Sequence, residues 1–283
     1  MKPKWLQNIG GIKVMIKLVA LDLDGTLLNS DKNISEGNKK AIKRAKAKGV
    51  KIVLCTGRPL LGIKRYLDEL DLLEEGDYAI TYNGGLVQKN NTSEILSQKT
   101  LSYPHIKELY ELSHKLQVPM NMIDLESVYE PEYPLNRESL YPSLMSANLP
   151  FVKKNIESFS IDHQFNKVVY CIEPSILDQA IKQIPDEIKS RYSMMKSRPL
   201  LFEIMHPEVN KGRGIGELCQ LLEITREEVM ACGDEENDLA MLQYAGVSVA
   251  MENASDFVKQ HASFISKSND EDGVAHAFDE YIF

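Results

Sequence analysis

The chain has 283 residues, 43% of them hydrophobic, and a formal net charge of −8 at pH 7. That length suits about two domains and that apolar fraction is enough for sizeable cores. The acidic balance argues against nucleic acid or an anionic membrane as partner, whereas a small anionic substrate held through a metal needs no basic face. The four cysteines, Cys55, Cys171, Cys219 and Cys232, show no Cys-x-x-Cys spacing and two sit inside apolar runs. They are expected to be buried free thiols of a cytoplasmic protein.

The amino terminus carries Trp5-Leu6 and an isolated Ile9 between polar residues and glycines, too little for a secretory or membrane-spanning segment. Residues 1–14 are expected to form a poorly ordered extension, and Met15, directly before the first strand, is a candidate natural start. Leu18, Val19, Ala20 and Leu21 then make the short apolar run of a strand buried on both faces, and Gly25 marks where the backbone leaves the sheet. Asp22 and Asp24 therefore fall at a carboxyl edge, where open α/β sheets place ligands. Ser35 caps a helix with apolar positions Ala41, Ile42 and Ala45 that stops at Gly49. A second buried strand over 50–55 runs into Thr56-Gly57-Arg58-Pro59, with Pro59 in the first helical turn and Leu60, Ile63, Leu67 and Leu70 as the helix stripe. A third strand over 78–81 ends at Tyr82-Asn83-Gly84-Gly85.

Beyond Gly85 the texture turns polar and rich in Pro and Tyr until about Met205. The simplest account is an inserted α/β domain over 86–206, hinged at Asn83, Gly84 and Gly85. It opens with a hairpin across 89–92, continues as a helix after Pro104, and includes a strand over 167–172, a helix over 176–184 and a closing strand pair over 191–206. From Lys211 the alternation of strand and helix resumes. A helix carries Ile215, Leu218, Leu221 and Leu222, a buried strand over 229–232 ends at Gly233-Asp234, and a helix over 237–244 leads to a strand over 247–250. The fold class is α/β, a doubly wound parallel-sheet core (residues 15–85 and 207–283) interrupted by the insertion.

Each polar cluster falls where a core strand ends or a core helix begins. A carboxylate attacking a phosphate monoester meets repulsion of about 5 kcal/mol per unit charge pair at ~3.5 Å and an effective dielectric near 20. A divalent cation must cancel it, and Mg²⁺ suits one or two carboxylates plus phosphate oxygens. On this reading Asp22 is the nucleophile, and Asp24 protonates the departing alkoxide and then activates water. Thr56 and Gly57 offer a hydroxyl and unobstructed N–H groups to a phosphate. Lys211 supplies a fixed positive charge to the transition state. Asp234 is a metal ligand, with Asp238 in its outer shell and Asn237 positioning phosphate or water. Taken singly, Thr56 reads equally well as a helix cap, and Lys211 as a solvated lysine. His206 reads as the return from the insertion rather than a catalytic base.

The ordered set Asp22-Leu23-Asp24-Gly25-Thr26, Thr56-Gly57-Arg58-Pro59, Lys211-Gly212 and Gly233-Asp234-Glu235-Glu236-Asn237-Asp238 resembles the four motifs of the haloacid dehalogenase superfamily. The insertion between the second and third motifs resembles the cap of the Cof-type branch, and the resemblance to sugar phosphatases of that branch runs from about Met15 to the end. It implies Mg²⁺ bound by the Asp22 carboxylate, the Asp24 main-chain carbonyl and Asp234, with Thr56, Gly57 and Lys211 around the phosphate. It also implies a cap that closes over the site and selects a small phosphorylated metabolite. Tyr129, Tyr133, Arg137, His163 and Tyr192 are candidate readers of the leaving group.

Gly85, where the branch often has Ala, and Cys55 before Thr56 are the departures. A phosphatase of flavin mononucleotide or pyridoxal phosphate, or a phosphomutase, shares the same core chemistry. A receiver module is disfavoured because the only Lys-Pro pair is Lys2-Pro3 and the chain is more than twice too long. A binding protein that has lost activity remains a different-class alternative, which measurable turnover separates.

Overall fold

The computed structural model describes residues 7–9, 12–145 and 149–283. The chain divides into two compact units, Met1–Gln98 with Asn210–Phe283, and Lys99–Val209. Of the amino-terminal extension, Gln7–Ile9 and Ile12–Val14 pair antiparallel. The rest of that extension lies outside the described residues.

The larger unit is built on an eight-stranded sheet. Its spatial order is Phe264–Ile265, Val247–Ala250, Val229–Gly233, Leu18–Leu21, Lys51–Cys55, Tyr78–Thr81, Leu86–Lys89 and Ile95–Gln98. The first six strands run parallel, and the last two are added through antiparallel pairings. Alternate residues serve opposite faces, as a period of two requires. Val19, Leu21, Ile52 and Leu54 pack with the helix Glu36–Ala47 and the helix Gly273–Tyr281. Leu18, Ala20, Val53 and Cys55 pack on the other face with Ile215 and Leu218 of the helix Lys211–Leu221 and with Met241 and Leu242. This is the three-layer, doubly wound arrangement expected. Ser35 caps its helix through the N–H of Asn38. Pro59 stands just before a 3₁₀ turn, Leu60–Gly62, and the α-helix Lys64–Glu69 follows it.

The boundary of the insertion differs from the expected Gly85. Leu86–Lys89 pairs with Tyr78–Thr81, and Ile95–Gln98 pairs with Leu86–Lys89, so this hairpin extends the large sheet. Its outer strand is half-exposed at the sheet edge, which is why its composition reads as a change of domain. The return also falls slightly later, at Asn210 rather than 207. All four cysteines are free and buried.

The smaller unit has a six-stranded sheet in the order Phe151–Lys153, Val128–Glu130, Met120–Ile123, Lys167–Cys171, Leu201–Met205 and Ser193–Arg198. Met120, Met122, Val168, Tyr170, Phe202 and Ile204 meet the helices Tyr103–Leu116 and Pro174–Gln183 in one apolar core. At the alternate positions Asn121, Val169 and Glu203 lie side by side across three strands. Glu203 is ion-paired with Lys167, and both side chains are 5% exposed. Breaking a buried pair strands a charge, whereas replacing both partners removes the desolvation cost together with the attraction. Lys167→Met is accordingly expected to destabilise the protein by about 3–5 kcal/mol, and Lys167→Met with Glu203→Leu to recover most of that loss in denaturant titrations. Equal losses in the single and double variants would show that the pair is not the source.

Candidate active site

Register brings the site together. Leu21 is level with Cys232 on one side and Leu54 on the other, so the three strands end side by side at Asp22, Thr56 and Asp234. The Asp22 N–H donates to the Cys232 carbonyl at 3.1 Å, and the Thr56 N–H to the Ile80 carbonyl at 2.9 Å. Gly25, with φ +86°, turns the chain directly under Asp234; a Cβ there would lie 2.2 Å from its Oδ2. Glycine is required at that position on both counts.

Lys211 opens its helix after Asn210, whose side chain accepts from the Arg213 N–H and caps it. Its Nζ donates to Asp22 Oδ1 at 2.5 Å and to Asp238 Oδ1 at 2.6 Å, and the lysine is 1% exposed. The surface reading of this lysine is thereby excluded. Asp238 also accepts through Oδ2 from the N–H groups of Asp234 and Glu235, at 2.9 and 3.0 Å. One carboxylate thus orients both the lysine and the acidic turn. Asp22, Asp234 and Asp238 each offer an oxygen within 4.8 Å of the others. Asp238 thus joins the carboxylate cluster while both its oxygens are engaged by Lys211 and the two N–H groups. The turn over 236–238 is tight enough to point it back at the strand end.

Electrostatics follow from this crowding. Burial raises the Asp22 carboxyl above the ordinary range; Lys211 opposes the rise, while Asp238 and Asp234 add to it. Asp234 is pushed up to about 7, chiefly by burial, with its Thr26 hydrogen bond working against the rise. Burial opposes the charge on Lys211, but Asp22 and Asp238 outweigh it and hold the ammonium protonated. Three buried carboxylates against one lysine leave an excess of negative charge in an all-oxygen donor set. Such a set fits a hard divalent cation.

Asp24 is placed differently. Its carboxylate is not part of the cluster; it accepts from Arg58 Nε and Nη2 at 3.0 and 2.7–2.8 Å and from Lys32 Nζ at 2.9 Å. Burial raises this carboxyl, but Lys32 and Arg58 outweigh it and hold it below the usual range. Thr56 is buried, and its hydroxyl accepts from the Arg58 N–H at 3.3 Å. Asn237 Nδ2 donates to Asn83 Oδ1 at 3.3 Å, and a Cβ on Gly57 would meet the same Asn83 amide at 3.0 Å.

Asn83, Gly84 and Gly85, expected at a hinge, lie inside the larger unit, whose first segment runs to Gln98. Tyr82–Gly84 is a buried tight turn within the larger unit, and the chain continues from it into the same sheet.

Two contributors were not singled out from the sequence. Thr26 donates its hydroxyl to Asp234 Oδ1 at 2.6 Å, for which the Asp-Gly-Thr run was the available signal. Arg58 lay within the second motif, but its partner 34 residues away had no local mark.

In the smaller unit the candidate leaving-group readers are dispersed. Tyr129 and Tyr192 belong to the helix-covered core, with hydroxyls on Asp124 and Glu108. His163 Nε2 contacts the same Asp124 at 2.9 Å. Tyr133, by contrast, accepts from Asn121 Nδ2 and donates to Glu130, on the strands of the sheet.

A carboxyl-edge aspartate is thus ion-paired to a buried lysine, with two further carboxylates close by. Residues 19–278 match the haloacid dehalogenase-like hydrolase family, and the chain belongs to it as a phosphoric monoester hydrolase. It is similar to the Bacillus subtilis (strain 168) protein named "Putative phosphatase YxeH", 44% identical over 95% of this chain and 99% of that protein. It is also 32% identical to the 5-amino-6-(5-phospho-D-ribitylamino)uracil phosphatase YcsE of the same organism, over 95% and 97% of the two chains. Among solved structures it resembles a haloacid dehalogenase-like hydrolase from Bacteroides thetaiotaomicron, with a TM-score of 0.80, 30% identity, and coverage of 95% and 100%. Among the described residues no helix is long and apolar enough to cross a membrane.

Proposed function

We propose that this enzyme is a Mg²⁺-dependent phosphatase of small phosphorylated metabolites, sugar phosphates foremost, acting through an aspartyl-phosphate. The observation that carries the reading is the Lys211 ammonium held between Asp22 and Asp238 with Asp234 alongside. Asp22 and Asp234, with the Asp24 main-chain carbonyl, are the groups that hold the metal, and Asp238 fixes both Lys211 and the Asp234 backbone. Bound Mg²⁺ supplies the positive charge that keeps Asp22 and Asp234 ionised and offsets the carboxylate–phosphate repulsion.

Asp22 attacks phosphorus as the ester P–O bond breaks, and Asp24 gives the departing alkoxide its proton. Asp24 then takes a proton from water as that water attacks the acyl-phosphate, which returns Asp22 and inorganic phosphate. Before its first step Asp24 must leave the Arg58 and Lys32 donors that hold it ionised and take up a proton from solvent, and a phosphoryl anion beside Thr56 and Gly57 competes for the same cations. Lys211, Thr56 and Gly57 hold the transferring oxygens.

The test is inorganic phosphate release from sugar phosphates, flavin mononucleotide, pyridoxal phosphate and nucleotides, with Mg²⁺ and with chelator. Chelator-sensitive release concentrated on sugar phosphates is expected. Release mainly from ribityl esters such as flavin mononucleotide would favour the second reading, to which the likeness to a ribitylaminouracil phosphatase points. No release from any ester would overturn the proposal.

The raised carboxyls add a pH-linked prediction. Asp234 titrates near 7 when folded, against about 3.9 for an unperturbed aspartate, so the folded chain holds that proton more tightly. Metal-free stability therefore falls as pH rises from about 4 to about 7, where the unfolded chain has already released the proton. Mg²⁺ binds the ionised form, so it is expected to raise Tm far more at about pH 8 than at about pH 5. Calorimetry with and without chelator checks this; an equal Mg²⁺ effect at both values would remove Asp234 from the metal site.

A further inference from the structure

Tyr82, Asn83 and Gly84 follow one another with φ of 51°, 57° and 96°. Glycine enters that region freely, asparagine less so, and an aromatic residue only under constraint. Tyr82 and Asn83 are each 1% exposed, so the turn is not a pliant surface connection. Strained backbone of this kind persists where its neighbours over-determine it.

Those neighbours are three arms of the proposed phosphate pocket. The Asn83 N–H donates to the Thr56 carbonyl at 2.9 Å, and the Tyr82 N–H to the Arg58 carbonyl at 3.4 Å. A Cβ on Gly84 would lie 2.0 Å from the carbonyl oxygen of Asn210, so the turn abuts the residue that caps the Lys211 helix. The Asn83 side chain spans the first of these arms, at Gly57, and the third, at Asn237. Its Oδ1 accepts from Asn237 Nδ2 at 3.3 Å, and its Oδ1 and Nδ2 would both lie 3.0 Å from a Cβ at Gly57. The absence of a side chain at Gly57 is what admits this amide.

We propose that Asn83 is a positioning residue of the phosphate pocket, its amide setting the spacing between the Gly57 peptide and the Asn237 amide to fit one phosphoryl group. The assignment rests on the phosphatase reading above. The left-handed backbone at residue 83 is held because it aims this amide between the two loops. The ligand recognised is the phosphate itself, so the effect is common to every ester.

Asn83→Gly separates the two roles of the residue, because it relieves the backbone and deletes the amide. KM for each ester and the Ki of inorganic phosphate are expected to rise together by about tenfold, the scale of one lost hydrogen bond to an anion, while Tm stays at or above the wild-type value. Asn83→Asp keeps the shape but puts a negative charge between the Gly57 and Asn237 loops proposed to hold the phosphate, and Ki is expected to rise further.

Wild-type KM and Ki in folded Asn83→Gly would overturn the assignment, as would a wild-type Ki in Asn83→Asp should the glycine variant not fold. A wild-type enzyme that releases no phosphate overturns the phosphatase reading and this assignment with it. An active wild type with unchanged Asn83 variants overturns this assignment alone.

Discussion

Asp22→Asn is expected to lower phosphate release by on the order of 10³-fold or more, because an amide cannot form the acyl-phosphate of the proposed mechanism. The variant should fold. Asp22 sits at a strand end among two other carboxylates, and burial already disfavours its charge. Its removal lowers the negative charge of the cluster and leaves Lys211 paired with Asp238 at 2.6 Å. The expected pattern is therefore a folded protein with a Tm close to wild type and almost no turnover. Rapid-quench measurement with labelled substrate should find acid-stable phosphate on the wild-type chain and none on the variant. Near wild-type release by Asp22→Asn would remove the aspartyl-phosphate mechanism.

Lys211→Ala is expected to damage both stability and catalysis, and the two losses separate experimentally. The ammonium is fully buried between two carboxylates, so its loss strands them without their counter-charge, a change that typically costs about 3–5 kcal/mol. On the proposed mechanism the same charge faces the transferring phosphoryl group in the transition state, and losing a preorganised donor of this kind costs about 3 kcal/mol, or ~10²-fold in kcat/KM. Added Mg²⁺ should restore part of the Tm, because the uncompensated carboxylates bind a cation more readily. It should not restore kcat/KM, since the metal does not replace a donor on the opposite oxygens. An unchanged kcat/KM in a folded variant would remove Lys211 from the chemistry and leave it as the structural centre of the acidic cluster.

What the amino-acid order determined by itself was everything whose signal is local. The apolar runs ending in Asp22, Thr56 and Asp234 marked buried parallel strands with polar residues at their carboxyl ends. Ser35 and Gly49 marked the limits of a helix, and the run after Gly233 marked an acidic turn. These features need only the chain's own periodicity and the stereochemistry of a few residues, and the four motifs could be ordered on that basis.

The tertiary structure alone decided matters that depend on pairing at long range. Leu86–Lys89 and Ile95–Gln98 joined the large sheet because Thr81 and Leu86 meet in register, a choice that edge-strand composition does not record. Asp24 went to Arg58 and Lys32, and Asp238 entered the carboxylate cluster. In both cases a side chain's partner was set by which strand ends and helix starts stand side by side. Asn83, read as part of a hinge, became the residue joining the loops of Gly57 and Asn237. A left-handed asparagine before glycine looks the same in either role. The distinction lies in burial and in contacts 26 and 154 residues away, which arise once the sheet has assembled.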